Sequence, residues 1–273
     1  MKKTVLLLLA IISFTGYAQD FTFGKVSKAE LEESQHPIIE DAEAAYLLKS
    51  RKTYFDKDSY KGFLLVNEHH ERIKVYNEKG VRYARKTIPY YYGTLALEHL
   101  AYNKNGKYAK IKDKVVDIEA YTYNIENGEV VKIKLGEDRI KSAKHQFKNF
   151  RAKVIALEDV KPGSVIEIRY KTISSLDYQM KDIQMDFDIP VNKLDYTIIS
   201  PEYFKENLSY LNAYEPSEIK TEKITHNFLV PAGRVPTPVL NMQQFVMGSS
   251  TMVKKEYAYE REVRKYTKVE KNR

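Results

Sequence analysis

From about residue 60 to the last residues, this chain repeats a period of two, with turn signals between the repeats. Successive side chains of an extended strand point to opposite faces, so such a chain is committed to sheets. The clearest case spans residues 116–135. Val116, Ile118, Ala120, Thr122 and Asn124 share one face, while Asp117, Glu119, Tyr121, Tyr123 and Ile125 share the other. Glu126-Asn127-Gly128-Glu129 supplies a turn, and Val131, Ile133 and Leu135 return. Asn-Gly between alternating runs is a strong hairpin signal, because both residues tolerate positive φ.

The same reading places strands at Leu64 to Val66 and at Ile73 to Val75, with a turn at Asn77 to Gly80. Val81, Tyr83 and Arg85 then continue as a strand toward Tyr90-Tyr91-Tyr92, and Asn103 to Gly106 marks a further turn. Lys161-Pro162-Gly163 turns into Val165, Ile166, Ile168 and Tyr170. Leu194 to Ile199 ends before Pro201, and Ile224 to Val230 ends before Pro231. Tyr257 to Val269 alternates as well, with a charge density that also suits an amphipathic helix. Lys141 to Phe150 reads as irregular or weakly helical, and residues 231–250 as a proline-interrupted loop. Strands and turns at this spacing predict a mainly β protein, a large antiparallel β-sandwich over residues 49–270. Ahead of it, residues 20–48 read as a helical lead-in, with Ser27 as N-cap and Glu30 completing a capping box. Asp41 to Leu48 is either a second short helix or the entry to a strand.

Residues 1–19 carry a separate signal. Lys2 and Lys3 precede an eleven-residue apolar run, Thr4 to Phe14, and Gly16-Tyr17-Ala18-Gln19 follows with small or turn-tolerant residues. That pattern predicts a secretory signal peptide and an exported protein of a Gram-negative envelope, periplasmic or released. The run is too short for a span, which needs roughly 20 residues. No later segment is apolar enough to cross a membrane as a helix.

The chain has no cysteine, which removes thiol nucleophiles, cysteine-ligated metals and disulfides together. Its formal charge is +8, of which Lys2 and Lys3 contribute two. On an exported chain without an arginine cluster this reads as a lysine-coated sheet surface, with no nucleic-acid partner.

Candidate chemistry is sparse. His69-His70-Glu71 is the densest group of potential ligands, but on a strand His69 and Glu71 face one way and His70 the other. His36, His99, His145 and His226 follow no metal spacing, so no metal and no cofactor are expected. There is no Gly-x-Ser-x-Gly elbow and no phosphate-binding glycine loop. Asp182, Asp186 and Asp188 suit a solvated strand as well as a carboxylate pair. No catalytic residue is assigned. Of the 22 tyrosines, Tyr90, Tyr91 and Tyr92 beside Gly93 are the candidate ligand-binding residues, as a stacking platform for a sugar or peptide.

Several stretches together resemble one family. They are Asp117 to Gly128, Val160 to Glu167, Phe187 to Val191 with Tyr196 to Phe204, and the early Lys74 to Gly80. Their order is similar to the domain of unknown function, family 3857, that precedes transglutaminase-like domains in exported Bacteroidetes-type proteins. The resemblance implies a β-rich domain leading into a papain-like fold with a Cys-His-Asp triad. This sequence has no cysteine for such a triad, so no catalytic residue carries over. The expectation is a non-catalytic exported module that binds or positions a peptide, a glycan or a neighbouring domain. Two alternatives stand: an N-terminal piece of a transglutaminase-like protein, and a glycan-binding protein.

Overall fold

The computed structural model describes residues 21–58, 62–95, 109–174, 187–201, 217–231 and 252–269. The expected signal segment at residues 1–19, the expected turn at residues 103–106, Asp182, Asp186 and residues 232–250 of the expected loop lie outside them.

Among the described residues, twelve strands follow one short helix, α1 (Lys28–Glu32). They are β1 (Ala44–Asp58), β2 (Gly62–Val75), β3 (Arg85–Leu95), β4 (Ala109–Lys112), β5 (Lys114–Glu126) and β6 (Glu129–Lys134). After them come β7 (Ile140–Lys144), β8 (Phe150–Ala156), β9 (Val165–Ser174), β10 (Lys193–Pro201), β11 (Glu218–Pro231) and β12 (Met252–Val269). The protein is mainly β, in two sheets. The larger has strand order β11-β12-β10-β1-β2-β9-β5-β6, and the smaller β4-β3-β8-β7.

One feature departs from the purely antiparallel expectation. β1 and β10 run parallel, in register from Lys49 opposite Leu194 to Tyr54 opposite Ile199. A parallel neighbour cannot be joined by a tight turn, so this contact closes over a long stretch of chain that local pattern does not encode.

The hairpin of β5 and β6 forms at the expected turn. Asn127 and Gly128 take φ of 51° and 83°, the left-handed pair that a two-residue hairpin needs. The strict alternation assigned to β5 breaks near its start. Asp117 has φ of 53° and the pairing with β9 shifts between Val116 and Glu119. The bulge re-aims the strand before the well-paired stretch from Glu119 to Tyr123. The turn at Lys161-Pro162-Gly163 is also present, closed by Ser164 N–H donating to the Lys161 carbonyl at 2.9 Å.

Three local readings are corrected. Val81 and Tyr83 lie in a 3₁₀ helix, Glu78–Ala84, capped by the Asn77 side chain, and extended chain resumes only at Arg85. Lys141 to Phe150 is not irregular throughout, because β7 pairs with β8 as a hairpin. β7 is a partly exposed edge strand, so it lacks the apolar alternation that would announce it. The helical lead-in is shorter than residues 20–48. Only Lys28–Glu32 is α-helical, and β1 begins at Ala44. The capping box stands as read: Glu30 N–H donates to Ser27 Oγ, and Ser27 N–H donates to the Glu30 carboxylate at 2.7 Å. The alternative between strand and helix at Tyr257 to Val269 resolves to strand β12.

Both faces of the large sheet are covered around β2, β9 and β5. On one face Ala44, Tyr46, Ile73, Ala120, Ile166 and Ile168 pack in a single cluster with Ile88 of β3 and Ile155 of β8. That cluster joins the two sheets. On the other face Leu31 of α1 packs with Leu47, Tyr123 and Val165, with Phe21 and Val26 against them. The N-terminal segment therefore forms a third layer.

Candidate functional site

The N-terminal layer is fastened by a closed ionic network. Arg72 is fully buried; its Nε and Nη2 donate to Glu167 Oε1 at 3.0 and 2.7 Å, and Nη1 donates to Glu30 Oε1 at 2.8 Å. Glu167 is equally buried and also accepts from His70 Nε2, Tyr123 hydroxyl and Gly24 N–H. Burial works against the Arg72 charge, yet its hydrogen bonds to Glu167 and Glu30 and their negative charges outweigh it and raise its pKa. Beside it, Lys74 Nζ donates to the carbonyls of Leu31 and Gly163, each at 2.7 Å. Burial without a carboxylate partner pulls the Lys74 pKa down to about 8.

On the opposite face, between the sheets, lies a second polar cluster. β2 places His69 and Glu71 there and His70 on the N-terminal side, the division its period of two requires. Glu71 is 2% exposed and accepts from Lys49 Nζ at 2.7 Å and from Lys86 Nζ at 2.5 Å. Burial alone would push its carboxyl up, but Lys86 and Lys49 prevail and hold it at about 2. His69 stacks on Tyr170 with ring centroids 4.5 Å apart, and burial together with Arg51 drives its pKa down to about 3. His69 is therefore a neutral imidazole. Among the described residues no group of three or more His, Asp or Glu is placed to hold a metal.

A groove of about 930 Å³ opens beside this cluster, bounded by residues 39–43, 77–79 and 187–194. Its apolar surface comes from Ala42, Phe187, Ile189, Val191 and Leu194, and its carboxylates are Asp41, Glu43, Glu78 and Asp188. Lys79 also lines it. Arg82 bridges Glu43 and Asp188, and Tyr83 hydroxyl donates to Asp188 at 2.8 Å. One wall is held by buried His36, whose Nδ1 accepts from Ile38 and Ile39 N–H while Nε2 meets Asn192 Oδ1 at 3.0 Å. Another wall needs Gly80, because a Cβ there would lie 2.1 Å from the Glu43 carbonyl oxygen. Phe187 lies at the boundary of groove and cluster, 5.6 Å from the Tyr46 ring.

The tyrosines singled out by sequence lie on β3. As neighbours on a strand, Tyr90 and Tyr92 share a face and Tyr91 takes the other. Tyr91 packs edge-on against Phe150 at 5.5 Å, and the Arg151 guanidinium sits 3.9 Å from the Tyr92 ring centre. From the sequence, Arg51 had no assigned role and Tyr170 and Tyr196 only places in strands, yet the fold brings all three together with His69 and Glu71. The signal open to sequence reading was Arg51 within an alternating strand, a charge at a position whose neighbours on the same face turn inward.

Fold and sites together define a mainly β, two-sheet module with buried ionic networks on both faces of its larger sheet. The model of the family described as "Domain of Unknown Function with solved-structure structure (DUF3857)" matches residues 64–229, more than half of the chain. The chain belongs to this family, as the stretches around Asn127-Gly128 and Pro162-Gly163 indicated. No curated protein sequence matches it. The crystal structure of a protein described as a "putative protease" from Parabacteroides distasonis is similar at a TM-score of 0.46 and 12% identity. That similarity covers 83% of this chain and 35% of the other, so the chain spans about a third of that protein's length.

Proposed function

We propose that this chain is an exported, non-catalytic β-sandwich module that holds an extended, basic segment of a partner polypeptide in its groove. The observation that carries this reading is the contrast of charge. A chain of formal charge +8 lines its groove with four carboxylates and one lysine over an apolar floor. Asp41 and Glu78 form no ion pair among the described residues, which leaves them for an incoming cation. Alternating apolar and basic side chains would fill the floor and meet the rim at once.

The test uses a fluorescent decapeptide alternating Leu with Lys and its Leu-Glu counterpart, with anisotropy as the readout. The basic peptide binds and the acidic one does not. The D41K/E78K variant weakens binding about fivefold, the effect of two exposed pairs at roughly 0.5 kcal/mol each. Equal affinity for both peptides would end the reading. Turnover of a peptide or amide substrate in proportion to protein concentration would replace the non-catalytic part of it. A glycan on Tyr90 and Tyr92 is the rival ligand. Polysaccharide quenching of tyrosine fluorescence that disappears in Tyr92→Ala would favour that rival.

A further inference from the structure

Arg51 lies in the gap between the sheets with no carboxylate to answer its charge. Its Nε donates to Thr53 Oγ1 at 3.0 Å and to Asn67 Oδ1 at 3.1 Å, and its Nη2 donates to Asn67 Oδ1 at 2.8 Å. Every one of these acceptors is neutral. Among the described residues Nη1 makes no hydrogen bond, and no ion pair includes Arg51. Glu71, the carboxylate of the same cluster, is already engaged by Lys49 and Lys86. Three cations thus share the gap with one anion and a neutral imidazole, an excess of two positive charges. A half-buried guanidinium with unused N–H groups is a ready partner for an anion.

Three hydroxyls surround this excess. Tyr46, Tyr170 and Tyr196 lie within electrostatic reach of Glu71 and of one another, and Tyr170 and Tyr196 also feel Arg51. None of the three hydroxyls has a hydrogen-bond partner among the described residues. The side-chain polar atom that is both sealed and unpartnered among those residues is Oδ1 of Asp113, elsewhere in the fold. The three tyrosine oxygens are not among such sealed atoms. A guanidinium with free N–H groups beside hydroxyl donors is the donor set that recognises an oxyanion.

We propose that the gap between the sheets is a receptor for a small oxyanion, a carboxylate or a phosphate, held by Arg51 with the Tyr170 and Tyr196 hydroxyls. The bound anion offsets the excess charge that Glu71 leaves. The site is separate from the groove and takes the opposite charge.

The experiment is thermal unfolding of the mature chain with about 10 mM succinate or inorganic phosphate, each compared with chloride at equal ionic strength. One or both anions raise Tm by roughly 3 °C or more, as ligand linkage requires for a domain of this size. A response to succinate alone assigns a carboxylate ligand, to phosphate alone a phosphorylated one, and to both an oxyanion without further selection. Tyr196→Phe, which deletes only a hydroxyl, halves the rise, and Arg51→Met abolishes it. The D41K/E78K groove variant keeps it in full. A Tm that neither anion moves beyond chloride overturns the proposal, and so does a rise that survives Arg51→Met. Should Arg51→Met not fold, an undiminished rise in the Y170F/Y196F double variant overturns it equally.

Discussion

Arg72 and Arg51 lie on adjacent strands of the same sheet, one facing the N-terminal layer and the other the gap between the sheets. Arg72 meets Glu30 and Glu167 and gains basicity from them, whereas Arg51 meets only neutral oxygens and loses basicity to burial. A buried ionic network in which every member is satisfied rigidifies a fold. One left open costs stability and is kept where it has a ligand to meet. The N-terminal face therefore reads as structure and the inter-sheet face as a site, although both hold the same residue type.

The largest way to break this comparison is Arg72→Met. It strands the buried carboxylates of Glu30 and Glu167 and costs ~3–5 kcal/mol in urea unfolding. A midpoint equal to that of the parent would put the two arginines on the same footing.

Acid titration probes the inter-sheet face next. His69 has a folded pKa of about 3, below its ordinary 6.5, so its contribution is present above pH 6.5 and lost as pH falls toward 3. Glu71, at about 2 against an ordinary 4.5, contributes above pH 4.5 and loses that contribution as pH falls toward 2. Each pKa unit is worth about 1.4 kcal/mol, so stability declines across both windows by several kcal/mol in total. In His69→Asn the decline between pH 6.5 and 4.5 flattens. If the slope there is unchanged, His69 is not the neutral residue its burial requires.

Arg51→Met works in the opposite direction. With no anion present it raises stability by about 1 kcal/mol, since it removes a desolvated charge that has no partner. A loss of stability instead would show that the neutral contacts to Thr53 and Asn67 suffice to hold it. The smallest effect is the baseline: Arg169→Ala breaks the exposed 2.7 Å pair with Glu119 and changes stability by less than about 0.5 kcal/mol.

What was legible in the sequence follows the range of the interactions. The hairpin at Asn127-Gly128, the Pro162-Gly163 turn and the Ser27–Glu30 capping box join residues a few positions apart, and each formed where it was read. The facing of His69 and Glu71 against His70 also followed from strand geometry alone. β7 was missed because an edge strand needs no apolar alternation, and the 3₁₀ helix at Glu78–Ala84 because a single tight turn imitates the end of a strand. The groove draws its walls from three separated segments, residues 39–43, 77–79 and 187–194, so no local pattern announced it.

By itself the sequence determined that this protein is mainly β, belongs to its family and lacks a thiol. Periodicity, turn chemistry and composition are properties of neighbouring residues. Only the tertiary structure decided which arginine would be answered. Glu167 reaches Arg72 across 95 positions, and Glu30 reaches it across 42. On the other face, the parallel pairing of β1 with β10 sets Tyr196 beside Arg51. Charge compensation depends on what the fold carries within a few ångströms, and a sequence records only which charges there are to place.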